Sequence, residues 1–146
     1  MTLKQWADNG WLNSHKTSRQ EIQNLLVMVE RDLLAAKTEN LVSDWRFGIA
    51  YNAALKLCTI LLYAEGYRPE KNQAHYRTLQ ALAEVLGKEH IADAKYLDRC
   101  RIIRNTVEYD YVDATTDEDA EELIQFSEEL REKILDWLRK IHSEFF

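Results

Sequence analysis

From Ser18 onward, apolar residues return every three or four positions, and the chain divides into helices where that rhythm stops. Ile22, Leu25, Leu26, Val29 and Leu33 keep helical spacing, which fades near Thr38. Ser18 followed by Glu21 is a capping-box pattern and predicts where this first long helix opens. The next helix is predicted over residues 43–65, ended by Gly66. Its apolar residues are nearly continuous: Trp45, Phe47, Ile49, Ala50, Ala53, Ala54, Leu57, Cys58, Ile60 and Leu61. A helix that is apolar on most sides is buried on most sides, so this one is expected at the centre. Residues 66–72, with Tyr67, Arg68 and Pro69, read as a loop.

A third helix is expected over residues 73–86, presenting Leu79, Leu82, Ala83 and Leu86 before Gly87 stops it. A fourth spans residues 89–109, and residues 110–116 form a connector. The last helix opens on Thr115 and Glu118, again a capping box, and continues through Leu123, Ile124, Leu130, Ile134, Trp137, Leu138 and Ile141. Residues 1–16 carry Leu3, Trp6 and Trp11 around Gly10, and predict a short helix laying its tryptophans on the main body. No strand, internal repeat or low-complexity segment is expected. The fold class that follows is all-α: an up-and-down bundle of four to five helices, with residues 1–146 as a single domain.

Composition agrees with this reading. One proline and four glycines in 146 residues suit long uninterrupted helices and are too few for a turn-rich β sandwich. Hydrophobic residues make up 46%, enough for a core, and charged residues 30%, enough for a wetted surface. The net charge of -6 argues against a protein that coats DNA or RNA, which needs clustered Lys and Arg. It leaves room for a local basic site. Cys58 and Cys100 lie in apolar helical stretches without ligand spacing and read as reduced core residues. The opening residues lack a basic segment followed by an apolar one, and the longest apolar run, residues 57–64, is far shorter than a membrane span. A cytoplasmic protein without a membrane segment is expected.

One helix breaks its own pattern. At about 100° per residue, Leu97, Cys100, Ile103 and Val107 share an arc of roughly 120°, and Arg104 falls inside it. Glu108 and Tyr111 lie near the same line, while Asn105 and Tyr109 pair along another edge. A guanidinium on an apolar stripe needs an anionic companion, because an unpaired buried charge is costly. Two readings stay open. Glu108 neutralises Arg104 inside the bundle or at a dimer seam, or Arg104 faces a cleft and meets a phosphate with its bidentate fork.

The stretch Arg104-Asn105-Thr106-Val107-Glu108-Tyr109-Asp110-Tyr111 resembles the signature segment of the HEPN (higher eukaryotes and prokaryotes nucleotide-binding) superfamily. That signature is an Arg followed by a polar residue, four to six intervening positions, then a His, with a Tyr two positions further in a common variant. Arg104, Asn105 and Tyr111 match; Tyr109 stands at the His position. Residues 51–57 resemble the helix beside the signature, and residues 74–79 the segment where many members carry a further His, here His75.

The resemblance implies a helical bundle that dimerises so that two signature segments share a cleft. It also implies nucleotide or RNA phosphate as ligand, no cofactor and no metal. A nucleotidyltransferase partner and a role in toxin–antitoxin or defence systems come with it. In active members the chemistry is metal-independent RNA cleavage by attack of the ribose 2′-hydroxyl on the adjacent phosphate. Arg104, Asn105 and Tyr109 form the implied catalytic set; Arg104, Asn105, Tyr111, Arg101 and His75 form the binding set. Tyr109 is a poor base, since a phenol near pKa 10 supplies little phenolate at neutral pH. A phosphate-binding module is therefore the leading expectation, beside an active ribonuclease toxin and a non-catalytic structural adaptor. His15, His90 and His142 stand in polar surroundings and are not expected to bind metal. The acidic run Asp117, Glu118, Asp119, Glu121 and Glu122 suits the start of a helix, where the dipole favours negative charge, and would repel RNA or meet a basic partner. The tryptophans are expected mainly in the core or a dimer seam.

Overall fold

The computed structural model describes residues 1–109 and 113–146, with Val107, Glu108 and Tyr109 described through their backbone alone. The order is α1 (Leu3–Asp8), β1 (Leu12–Ser14), α2 (Arg19–Ala36), α3 (Ser43–Ala64), β2 (Tyr67–Pro69), α4 (Ala74–Leu86), α5 (Ile91–Tyr109) and α6 (Asp117–Ile141). Single 3-10 turns at Lys88–His90 and Ser143–Phe145 precede α5 and follow α6. This is the all-α bundle that the hydrophobic rhythm predicts.

The apolar continuity of α3 has the expected consequence: it is the central helix, packed against α2, α4, α5 and α6. Ala50, Ala53, Ala54, Leu57, Cys58, Ile60 and Leu61 are fully buried. Small residues let α6 approach closely, and the buried Ser127 hydroxyl donates to the Ala50 carbonyl across that contact at 3.4 Å. The apolar stretch is longer than the eight residues read from the sequence. By length and hydropathy α3 is sufficient to cross a membrane, yet most of it is covered by the other helices of the bundle. Trp45, expected in the core or a dimer seam, is not in the core of the single chain, where it is 66% exposed in the first turn of α3. Cys58 and Cys100 are buried free thiols, and burial pushes both above the usual thiol range, to about 12 and about 11.

Three local predictions are corrected. The N-terminal helix covers only Leu3–Asp8; Gly10, at φ +81°, turns the chain into β1. A strand pair exists where none was expected: β1 lies antiparallel to β2, with Leu12 opposite Pro69, Asn13 opposite Arg68 and Ser14 opposite Tyr67. Three-residue strands are too short to show an alternating pattern, and a pairing between such distant positions has no local signal. The Ser18 hydroxyl does accept the Glu21 N–H at 3.1 Å, but the box is half formed. The Glu21 carboxylate is taken instead by His15 Nε2 and the Thr17 hydroxyl, each at 2.7 Å.

The last helix starts one residue later than predicted, at a box made by Thr116 and Asp119. Thr115 is unable to cap because it is buried, with its hydroxyl (2.7 Å) and its N–H (3.0 Å) donated to the Asp44 carboxylate of α3. The Asp113 N–H adds a third bond at 2.7 Å. Partial burial pushes Asp44 upward, but the Thr115, Asp113 and Ala114 donors outweigh it, so its carboxyl sits below the usual range. A depressed folded-state pKa gives stability that is present above the unfolded value and lost as pH falls through the folded one. Asp44→Asn is therefore expected to cost about 1–3 kcal/mol at pH 7. In urea titrations repeated from pH 7 to pH 2.5, the gap from wild type should close below about pH 4. A gap that is constant with pH would assign the loss to shape rather than charge.

Candidate functional site

α4 and α5 pack side by side, and an open groove of about 860 Å³ lies between the start of α4 and the second half of α5. The local sequence explains why α4 points its bare end there. Its N-cap, Gln73, has left-handed backbone (φ +56°) and makes no side-chain cap bond, and the first turn holds no acidic residue. The N–H groups of a first helical turn have no carbonyl of their own helix to meet. Those of Ala74, His75 and Tyr76 lie in residues that line the groove, together with Lys71 and Arg77. The facing wall is Arg101 and Asn105, one turn apart on α5. Among the described residues, no carboxylate lines this groove.

The cations are held by planar and anionic neighbours. Arg101 Nε donates to Asp98 at 2.8 Å, and its guanidinium carbon lies 5.9 Å from the Tyr76 ring centre. Arg77 lies over Trp11 at 3.7 Å and is 5.5 Å from Tyr76, so Trp11, Arg77, Tyr76 and Arg101 alternate ring and cation along the rim. Partial burial of the His75 ring, then the charges of Arg104 and Arg101, hold its imidazole below the ordinary value, so it is neutral at pH 7.

The sequence-derived residues sort as follows. Arg101, Asn105 and His75 meet in the groove. Arg104 is half-buried on the core side of the same helix, its guanidinium carbon 5.8 Å from the Tyr51 ring. Tyr109 is described through its backbone only, Glu108 likewise, and Tyr111 lies outside the described residues. The Arg104–Glu108 pair therefore also lies outside them. Of the arc that framed Arg104, Leu97 and Cys100 are buried, whereas Ile103 is 38% exposed. Sequence reasoning missed Lys71 and Arg77, which reach the site through a loop and a different helix. It also missed Tyr51, which is fully buried in α3 beneath this region. Its hydroxyl has no hydrogen-bond partner among the described residues, and burial pushes it well above the usual phenol range against the pull of Arg101 and Arg104.

The other histidines tie surface elements together. His15 meets Glu21 and rests on Tyr63 at 4.3 Å; His90 meets Asp93 at 2.9 Å; His142 lies 3.3 Å from Glu65. Part of the acidic run at the start of α6 is engaged internally, with Asp117 3.6 Å and Glu121 4.0 Å from Arg46. Among the described residues no cluster of His, Cys, Asp or Glu is arranged to hold a metal ion.

Compared with known proteins, the chain matches the family model described as HEPN domain over residues 23–140. No curated protein and no solved structure matches it significantly.

Proposed function

The chain belongs to the HEPN domain family, and from that membership we propose that the groove between α4 and α5 binds the phosphate of a nucleotide or of RNA. One observation carries this: the uncapped start of α4 opens between Lys71, Arg77 and Arg101 in a groove that no carboxylate lines among the described residues. A helix N-terminus and a set of guanidinium forks are complementary to a phosphate, and Asn105 adds an amide donor for orientation. Arg104, behind the wall, contributes charge. A net charge of -6 over the whole chain then keeps RNA off the remaining surface and confines binding to this site.

The affinity for a short single-stranded RNA is expected to fall roughly twentyfold between 50 and 200 mM salt, as three neutralised phosphates require. Absence of binding, or an affinity indifferent to salt, removes the proposal. In the same reading the protein is a cytoplasmic homodimer, and Ile102 and Ile103, exposed on α5 beside the groove, support a covered seam there. A nucleotidyltransferase partner, in a toxin–antitoxin or defence setting, belongs to this reading through the family.

A second reading, RNA cleavage, is favoured by the position of His75. A neutral imidazole in the phosphate groove supplies the base that Tyr109 does not. The ribose 2′-oxygen would bond to phosphorus as its proton passes to His75, and the bond to the departing 5′-oxygen would break, with that oxygen protonated by water. Cleavage in EDTA should then persist to lower pH than an ordinary histidine allows, since His75 titrates below 6.5. His75→Gln should abolish cleavage while the salt-dependent part of RNA binding, supplied by Lys71, Arg77 and Arg101, remains. Intact RNA after incubation of the wild-type protein rules out this second reading and leaves the binding module.

A further inference from the structure

A second cavity of about 350 Å³ adjoins the groove; it shares Gln73 and Arg77 and adds Gly10, Trp11, Glu70 and Asn72. The β1–β2 pairing builds it by bringing the N-terminal segment against the loop before α4, where the Glu70 N–H donates to the Trp11 carbonyl at 2.9 Å. Its chemistry is opposite to that of the first cavity. Glu70 accepts the Asn13 amide at 2.9 Å; that bond, then the Lys71 N–H, holds its carboxyl below the usual range. An ionised carboxylate turns a second phosphate away and attracts N–H donors. Beside it, the Arg77 guanidinium carbon lies over the Trp11 ring, 3.7 Å from its centre, and rings and guanidinium groups of this kind are surfaces on which a base rests.

We propose that this second cavity is a nucleobase subsite and that the base it takes is guanine. The inference rests on the phosphate reading of the neighbouring groove. Guanine presents two adjacent donors, N1–H and the N2 amino group, which match the two oxygens of one carboxylate. Adenine and cytosine place a ring-nitrogen acceptor where guanine has N1–H, and that lone pair would face the Glu70 charge. Uracil offers one N–H flanked by two carbonyl oxygens. The ligand unit is thus a guanosine nucleotide, with its phosphate at the start of α4 and its base on the Trp11 side of Arg77.

Titrating the full chain with GMP, AMP and inorganic phosphate by calorimetry tests this. GMP is expected to bind about tenfold or more tighter than AMP, the size of one good bidentate pair. Glu70→Gln and Glu70→Ala should erase that preference and leave the affinity for inorganic phosphate within about twofold. Neither variant touches the backbone bond from Glu70 to Trp11, and an unchanged thermal midpoint confirms folding. GMP, and not phosphate, should quench tryptophan emission, with the quench lost in Trp11→Phe. Equal affinities for GMP and AMP that ignore Glu70→Gln overturn the base subsite while the phosphate groove stands. If none of the three binds, the phosphate reading falls, and the subsite with it.

Discussion

Arg101→Ala is expected to weaken binding of inorganic phosphate and short RNA by about 10- to 150-fold, with little loss of stability. A charge-assisted hydrogen bond to phosphate is worth about 1.5–3 kcal/mol, which converts to that range. The stability cost is small because Arg101 gives up a partly exposed i,i+3 ion pair with Asp98, worth roughly 0.5 kcal/mol or less, and a long contact with the Tyr76 ring at 5.9 Å. Two companion variants separate charge from geometry. Arg101→Lys should keep the salt dependence of binding but lose the planar fork, and so bind less tightly than wild type. Asp98→Asn should strengthen phosphate binding about two- to threefold, since it removes the negative charge that competes with phosphate for Arg101 and leaves a weaker, neutral acceptor. Wild-type affinity in Arg101→Ala would show that the groove is not where phosphate sits. If Arg104→Ala alone abolished binding, the guanidinium on the core side would be the one that matters.

Tyr51→Ala is expected to cost about 3–5 kcal/mol, whereas Tyr51→Phe should be neutral or stabilising. The ring is fully buried in the central helix, so truncation loses its transfer energy and opens a cavity in the middle of the bundle. The hydroxyl behaves differently. It is buried, and no hydrogen bond from a described residue offsets its desolvation. Removing it leaves the ring contacts with His75, at 6.3 Å, and with Arg104, at 5.8 Å, in place. In urea unfolding, the Ala variant should lower the midpoint clearly and the Phe variant should match or exceed wild type. A large loss in Tyr51→Phe, or a loss of RNA binding without a change in stability, would mean that this hydroxyl serves the groove.

The elements differ in how plainly the sequence announces them. The α3 helix declares itself, since no exposed helix tolerates such continuous apolar sequence, and its predicted bounds agree with the structure to within a residue. Gly87, at φ +117°, stops α4 where expected, because only glycine takes that conformation without strain. The site is half visible. Arg101 and Asn105 are one helical turn apart, so their shared wall follows from the helical repeat; what they face does not. Arg104 stands out in the sequence through its place on the apolar arc, and that same place puts it on the core side of the wall.

Local periodicity, capping residues and apolar continuity are properties of neighbouring positions, so the sequence by itself determined the helices, their order and which of them is central. The groove depends on Lys71, His75 and Arg77 meeting Arg101 and Asn105, and the second cavity on Trp11 meeting Glu70. Those meetings join distant parts of the chain, through packing and a strand pair too short to leave a pattern. Only the tertiary structure decided them, because long-range contact is set by how buried faces fit together and not by any spacing along the chain.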